Sequence, residues 1–387
     1  MKKKNLGLNT VCTHTGEVKD TQFKGAVSPI YLSSSYAFED IDEKRYPRYF
    51  NTPNQQALCK KVATLEHTED ALIFGSGMAA ISTSLLAFLH KGDHIVLQNA
   101  LYGGTMNLVL EEFEKYGIEY SFTKSLDIKD FKKEIRKNTK VIYIETPSNP
   151  LLKVTDIRKV AKLAKKHKLI TMIDNTFASP VNQLPATLGI DIVIHSATKY
   201  FGGHSDILAG AVAASAEHTN QIFQLAKNLG GSLSDFTVWM LERSMKTLGI
   251  RVKEQNKNAL KLANYLEKHE AVSKVYYPGL KSHEDYELAK SQMSGFGGML
   301  SFELKDDYNV SKFFKSLKLI KPSMSLAGVE STVLSPTQTS HALLTPEERK
   351  RQGIADGLIR FSVGIEDRKD IIADLNQAIK KAKRNKN

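Results

Sequence analysis

The chain has 387 residues, more than one hydrophobic core usually organises, so two or three domains are expected. Apolar residues make up 41% and charged residues 25%, which excludes a disordered or collagen-like chain. Lys and Arg number 54 against 42 Asp and Glu, and the resulting +12 suits nucleic acid, an anionic membrane or an anionic cofactor without choosing among them.

Two cysteines, Cys12 and Cys59, have a separation that fits no zinc pattern, and one pair makes no disulfide framework. A reducing compartment is the simpler reading. The basic start Met1-Lys2-Lys3-Lys4 leads into Asn5, Gly7 and Asn9 with no apolar signal core, and no apolar stretch approaches the ~20 residues of a membrane span. The expectation is a soluble, cytoplasmic protein that neither binds nor crosses a membrane.

Residues 1–51 are rich in Thr, Ser, Asn, Tyr and Gly with little helical period, and read as an arm. Ordering it alone costs entropy with little burial in return, so it is expected to lie on something else, such as a second subunit. From residue 52 the pattern changes. Ala57, Leu58, Lys61, Val62 and Leu65 suggest a helix, and Ala71–Phe74 a strand. Gly75-Ser76-Gly77 punctuates, then Met78–Leu89 reads as a helix. His94–Leu97 is a strand, 108–116 a helix and Val141–Ile144 a strand. Thr155-Asp156 offers a cap for a helix with Ile157, Val160, Ala161 and Ala164 on one face. Leu169–Ile173 and Ile190–Ile194 are further buried strands. Such alternation predicts an α/β layer with a largely parallel sheet over 52–247. Beyond it, a helix near 257–269, strands near 275–277, 299–302 and 358–362, and a basic terminal helix predict a smaller α+β domain over 248–387. The Lys-rich stretches 132–140, 159–168 and 380–386 read as solvated faces; no zinc finger or aromatic RNA-binding signature accompanies them, and no nucleic-acid partner is expected.

Three segments carry chemistry. His195-Ser196-Ala197-Thr198-Lys199-Tyr200 begins where a buried strand ends, the place where α/β sheets collect ligands. Lys199 reads either as an exposed charge or as a buried amine, nucleophilic when neutral and able to form a Schiff base with an aldehyde. Ser196 and Thr198 beside it offer hydroxyls to phosphate oxygens. Asp174 follows another buried strand and either caps the next helix or meets a cation. Gly75-Ser76-Gly77-Met78 is a strand-to-helix turn, ordinary by itself, whose N–H groups suit a phosphate. Together, phosphate site, carboxylate and lysine are the three things pyridoxal 5′-phosphate requires.

The chain resembles the Cys/Met-metabolism family of pyridoxal-phosphate enzymes: cystathionine γ-synthases, cystathionine β- and γ-lyases and methionine γ-lyases. The likeness runs from Pro29-Ile30-Tyr31 to Gly364-Ile365-Glu366-Asp367 and is most specific in Asp191–Tyr200. Glu145-Thr146-Pro147-Ser148-Asn149-Pro150, Ser325-Leu326-Ala327-Gly328-Val329-Glu330-Ser331 and Gly353-Ile354-Ala355-Asp356 also match. The resemblance implies a fold-type I, aspartate aminotransferase-like architecture with a mixed, mostly parallel sheet. It makes Lys199 the Schiff-base lysine and proton shuttle, Asp174 the pyridinium partner, and Gly77, Met78, Ser196 and Thr198 the phosphate ligands. Tyr102 becomes the stacking ring and Arg360 the clamp on the substrate α-carboxylate, with Asn149 and Ser325 contributing. Tyr46 and Arg48 match a pair that in relatives reaches the neighbouring subunit's phosphate, implying a homo-oligomer with shared sites, a dimer at least and commonly a tetramer.

Three positions depart from the family pattern. Thr52 separates Asn51 from Pro53, where relatives continue Asn-Pro. Met324 stands where γ-synthases and many γ-lyases carry Glu, and Gly104 replaces the cysteine of methionine γ-lyases. The implied activity is carbon–sulfur lysis of a small sulfur amino acid, cystathionine β-cleavage being favoured over γ-cleavage. The alternatives are γ-replacement (cystathionine γ-synthase or an acylhomoserine sulfhydrylase), methionine γ-lysis and, remotely, a non-catalytic cofactor-binding protein.

Overall fold

The runs Val141–Ile144 and Ile192–Ile194 carry apolar side chains at successive positions, so a strand made from them must be covered on both faces. A computed structural model, which describes residues 6–339 and 353–384, places them in the middle of a seven-stranded sheet. Its strands are β1 (Asp70–Phe74), β2 (His94–Leu97), β3 (Glu119–Phe122), β4 (Thr139–Glu145), β5 (Ile170–Asp174), β6 (Ile192–His195) and β7 (Gly210–Ala214). The order is β1-β7-β6-β5-β4-β2-β3, with β7 antiparallel to both neighbours and the other pairs parallel. One face packs Ile81 and Leu85 of helix Gly77–Phe88 with Ile222 and Ala226 of helix Ala216–Leu229. The opposite face packs Ile157, Val160 and Ala164 of helix Ile157–His167, capped by Asp156 as its sequence suggests.

Winding decides where a ligand can sit. From β2 the chain moves outward to β3, returns to β4, and then proceeds through β5 and β6 in the other direction. The reversal between β2 and β4 opens a crevice at their carboxyl ends.

A second sheet, ordered β10-β11-β12-β9-β8, comprises β8 (Val272–Tyr276), β9 (Met299–Leu304), β10 (Lys321–Pro322), β11 (Thr332–Leu334) and β12 (Leu358–Ser362). It is antiparallel except between β10 and β11. Leu375 and Ile379 of helix Arg368–Ala382 pack on Phe302, Ile359 and Phe361. Helix Leu248–Glu267 spans both regions. Leu248 and Val252 join the core under the first sheet, and Leu262 and Leu266 join the second.

Several elements differ from expectation. The helix expected near 257–269 begins at Leu248, since burial of Leu248, Arg251 and Val252 overrides the helix-weakening Gly249 and Ile250. The arm holds a helix, Leu8–His14, fixed from outside: Val11 and Cys12 are buried and the buried Lys61 donates to the Cys12 carbonyl at 2.6 Å. Thr52, the residue that interrupts Asn51 and Pro53, caps helix Pro53–Glu66. Its Oγ1 accepts from the Gln55 N–H at 3.2 Å and its N–H donates to the Gln55 side chain at 3.1 Å. The Lys-rich terminus expected to extend to 386 passes beyond the described residues after 384. No helix among the described residues is long and apolar enough to cross a membrane.

Candidate active site

At the carboxyl ends of the parallel strands, polar residues converge on a cavity of about 460 Å³. The first sheet supplies Asp174, the last residue of β5, and the turn after β6 supplies Ser196, Thr198 and Lys199. The second sheet closes the cavity with Arg360 from β12 and the loop Met324–Leu326.

Lys199 is drawn into this cavity, and its Nζ donates to Ser325 Oγ at 2.8 Å. Burial, reinforced by the Arg360 charge and opposed by Asp174, lowers its pKa to about 8. About a tenth of the amine is then neutral at pH 7, far more than for an exposed lysine, in keeping with the buried-amine reading. Asp174 is buried and accepts from the Thr176 N–H at 2.9 Å. Burial raises its pKa, while Thr176, His195 and Lys199 pull in the opposite direction. Such a carboxyl gains by meeting a cation in the cavity. Behind it, His195 Nε2 pairs with Glu66 Oε1, both side chains being buried.

Arg360 is buried too, and burial lowers its pKa to about 10. Its Nη1 donates to Asn149 Oδ1 at 3.2 Å and its Nη2 to the Ser325 carbonyl at 2.9 Å. Among the described residues no carboxylate pairs with it, so a buried guanidinium faces the cavity without an anion. An incoming carboxylate supplies one in the bidentate geometry that guanidinium favours. Ser325 holds both cations, and it does so from φ +76, a conformation costly for a side-chain-bearing residue and typical of sites that need a particular geometry.

The phosphate-sized corner lies at the start of helix Gly77–Phe88. Ser76 takes the Ala79 N–H on its Oγ at 3.0 Å and the Ala80 N–H on its carbonyl at 3.1 Å, leaving the Gly77 and Met78 N–H groups without a protein acceptor among the described residues. Ser196 stands against them: a Cβ on Gly77 would fall 2.9 Å from the Ser196 Cβ, so only glycine fits. Thr198 is engaged with Ala209, its Oγ1 donating to the carbonyl at 3.1 Å. Tyr102 stands across the cavity, 47% exposed, with Gly104 packed against its ring: a Cβ there would lie 2.5 Å from Tyr102 Cε1, so a larger residue would shift the ring.

Gly77, Met78, Tyr102, Asn149, Asp174, Ser196, Thr198, Lys199, Ser325 and Arg360 all line the one cavity. Tyr46 and Arg48 do not. Arg48 Nη1 donates to the Lys227 carbonyl, and its guanidinium lies 5.5 Å and 5.2 Å from the rings of Tyr46 and Tyr49. A larger open cleft, about 630 Å³, lies between helices Pro53–Glu66 and Ala216–Leu229 and contains none of the predicted residues. Sequence reasoning passed over Glu145 and Thr176, which also line the site. Glu145 had a signal: like Asp174, it is an acid ending an apolar strand.

Comparison with known proteins accords with this geometry. The family profile described as Cys/Met metabolism PLP-dependent enzyme matches residues 9–380. The chain belongs to that family. It is 43% identical over 383 residues to a cystathionine gamma-lyase of Bacillus subtilis (strain 168), covering 98% of this chain and 99% of that one. It is 43% identical over 370 residues to a cystathionine beta-lyase of Lactococcus lactis subsp. cremoris (strain MG1363), covering 95% and 97%. Among solved structures, a cystathionine gamma-lyase from Lactobacillus plantarum complexed with L-serine superposes with a TM-score of 0.93 at 39% identity, covering 97% of this chain and 99% of that one.

The family's cofactor is pyridoxal 5′-phosphate, and the residues present fit it. A corner that a Cβ at Gly77 would fill, a buried amine of depressed pKa, and a buried carboxyl with one hydrogen bond from Thr176 correspond to its phosphate, aldehyde and ring nitrogen.

Proposed function

We propose that this member of the family is a cytoplasmic carbon–sulfur lyase of sulfur amino-acid metabolism whose substrate is cystathionine, with β-cleavage preferred to γ-cleavage. When bound, pyridoxal 5′-phosphate supplies an aldehyde that holds the substrate amine and a ring that accepts electrons from bonds at the α-carbon. The protein's residues do the rest. Arg360 grips the α-carboxylate, with Asn149 and Ser325 fixing the angle of the guanidinium. Asp174 keeps a proton on the ring nitrogen. Gly77, Met78, Ser196 and Thr198 seat the phosphate, and Tyr102 covers one ring face. Lys199, tethered by Ser325, takes the proton from Cα and later returns one. In β-cleavage the Cβ–S bond then breaks with its electron pair on sulfur, which takes up a proton to give homocysteine, and water hydrolyses the remaining aminoacrylate to pyruvate and ammonia.

One observation supports β over γ: Met324 lies on the cavity wall beside Ser325, 69% exposed. A thioether offers apolar contact and a weak acceptor there, with no charge for a distal ammonium group. The assay is a product analysis on pure protein given cystathionine and, separately, an acylated homoserine with cysteine or sulfide. Homocysteine with pyruvate is expected. Cysteine with 2-oxobutyrate would move the assignment to γ-cleavage, and rapid replacement on the ester without either cleavage would sink the lyase reading.

The same reading extends to assembly. Residues 1–51 serve as an arm on a neighbouring subunit, 52–247 as the cofactor domain and 248–387 as the smaller domain. Tyr46 and Arg48 complete the neighbour's phosphate site in a dimer or tetramer. Their position outside this chain's own cavity supports that role, as do the exposed Phe23, Leu32 and Phe38 of the arm. Cys12 and Cys59, both buried free thiols, suit a reducing compartment.

A further inference from the structure

Within the same cavity one carboxyl has no task in this account. Glu145 ends β4, directly beside Asp174 in the register of β4 and β5, and is 4% exposed. Its Oε2 accepts from the backbone N–H of Tyr102 at 2.6 Å. Tyr102 stands at the start of the short helix Gly103–Asn107 without a side-chain cap of its own, so this bond anchors the backbone from which its ring projects.

The strand end beneath is rigid. The buried Gln98 donates at 2.6 Å to the carbonyls of both Glu145 and Ala100, and its own Oε1 accepts from Thr155 Oγ1 at 3.1 Å. Glu145 therefore projects from a fixed origin to a fixed target.

Resting on the functional reading above, we propose that Glu145 is a positioning residue of this site: its carboxyl fixes Tyr102 over the cofactor. It acts through its reach and its acceptor oxygen, not through a negative charge. Two carboxyls side by side at the ends of β4 and β5 do not readily ionise together. Burial and the Asp174 charge push the Glu145 pKa well above the usual carboxylate range. Asp174 faces Lys199 and His195, which favour its charge, whereas among the described residues no cation favours charge on Glu145; of the pair, Glu145 is the one proposed to hold the proton.

Reach and charge are separable with two small substitutions. Glu145→Asp keeps the acid and shortens it by one methylene; Glu145→Gln keeps the length and the acceptor oxygen and removes the acid. The full chain is titrated with pyridoxal 5′-phosphate, reading the dissociation constant and the circular dichroism of the bound cofactor. Glu145→Asp is expected to bind about tenfold more weakly, the cost of one lost hydrogen bond, with reduced dichroism as the ring loses its fixed neighbour. Glu145→Gln is expected to restore the parent affinity and band. In a Tyr102→Ala background the Asp substitution should add nearly nothing, because it acts through that ring.

Weaker binding by Gln than by Asp, parent-like behaviour of both, or additive losses in the Tyr102→Ala background would overturn the proposal. If the Asp variant does not fold, the Gln variant decides alone: lost affinity refutes it and retained affinity with the parent band supports it. Failure of the parent chain itself to bind the cofactor would instead refute the functional reading.

Discussion

The strand ends around Lys199 and the arm before residue 52 are built in opposite ways. At the strand ends, buried polar groups have partners within the chain: Lys199 with Ser325, Arg360 with Asn149 and the Ser325 carbonyl, and Asp174 with Thr176. In the arm, polar contacts are mostly backbone ties. Trp239 Nε1 donates to the Ser28 carbonyl at 2.8 Å, and Asn54 bonds Tyr31 N–H at 3.0 Å and the Pro29 carbonyl at 2.8 Å. Large apolar side chains face outward instead: Phe23 is 80% exposed, Phe38 74% and Leu32 70%. Covering each is worth roughly 1.5–3 kcal/mol. These strand-end groups thus find partners within the chain, whereas the arm leaves large apolar side chains uncovered. That asymmetry suits our proposal that one subunit's arm serves another's site.

The comparison breaks most sharply at Lys199. Lys199→Ala should leave the seat for the cofactor and lose the proton carrier. Cofactor retention with turnover lowered by about 10³-fold or more is the expected result in the product assay. Turnover near the parent value would show that another base does the work.

The arm is tested by mixing. Arg48→Ala and Lys199→Ala chains, each nearly inactive, should regain activity when subunits are exchanged, because the arm of one completes the site of the other. With free exchange, half the assemblies are mixed and half their sites intact, so recovery approaches about one quarter of the parent activity. Mixed assemblies demonstrated by mass spectrometry with no recovery would confine Arg48 to its own subunit.

The smallest effect concerns the cost of preparing the site. Folded Lys199 releases its proton near pH 8, while the unfolded chain holds it to about 10.5. Between those values the unfolded state binds more protons, so this residue makes the cofactor-free protein more stable as pH rises. Below pH 8 its full penalty applies. Lys199→Met removes the penalty, and the cofactor-free variant should melt a few degrees above the parent at pH 7. The gap should narrow towards pH 10. A gap independent of pH would mean that packing, not charge burial, sets the difference.

Most of the parallel sheet was legible because strands covered on both faces must be apolar throughout, and Val141–Ile144 and Ile192–Ile194 satisfy that without help. The strand Gly210–Ala214 escaped because Gly-Ala-Val-Ala-Ala has little strand propensity. It is a strand because β1 and β6 hold it from both sides, and its small residues leave room: a Cβ on Gly210 would lie 2.1 Å from the Ser76 carbonyl oxygen. The strand-end position of Glu145 was legible but its partners were not, since Tyr102 and Asp174 are remote in sequence and meet it only in the fold.

The sequence alone determined the local chemistry: which strands are apolar enough to be buried, where a helix is capped, and that Lys199, Asp174 and the Gly77 turn stand at strand exits. These depend on a few adjacent residues, and local patterning reports them faithfully. The resemblance named Arg360 and Ser325, but only the tertiary structure showed β12 and the loop after β10, more than a hundred residues on, closing over that lysine. Only the fold could set Glu145 beside Asp174 and turn the arm outward. Such pairings depend on which distant surfaces bury one another, and no stretch of chain contains that information by itself.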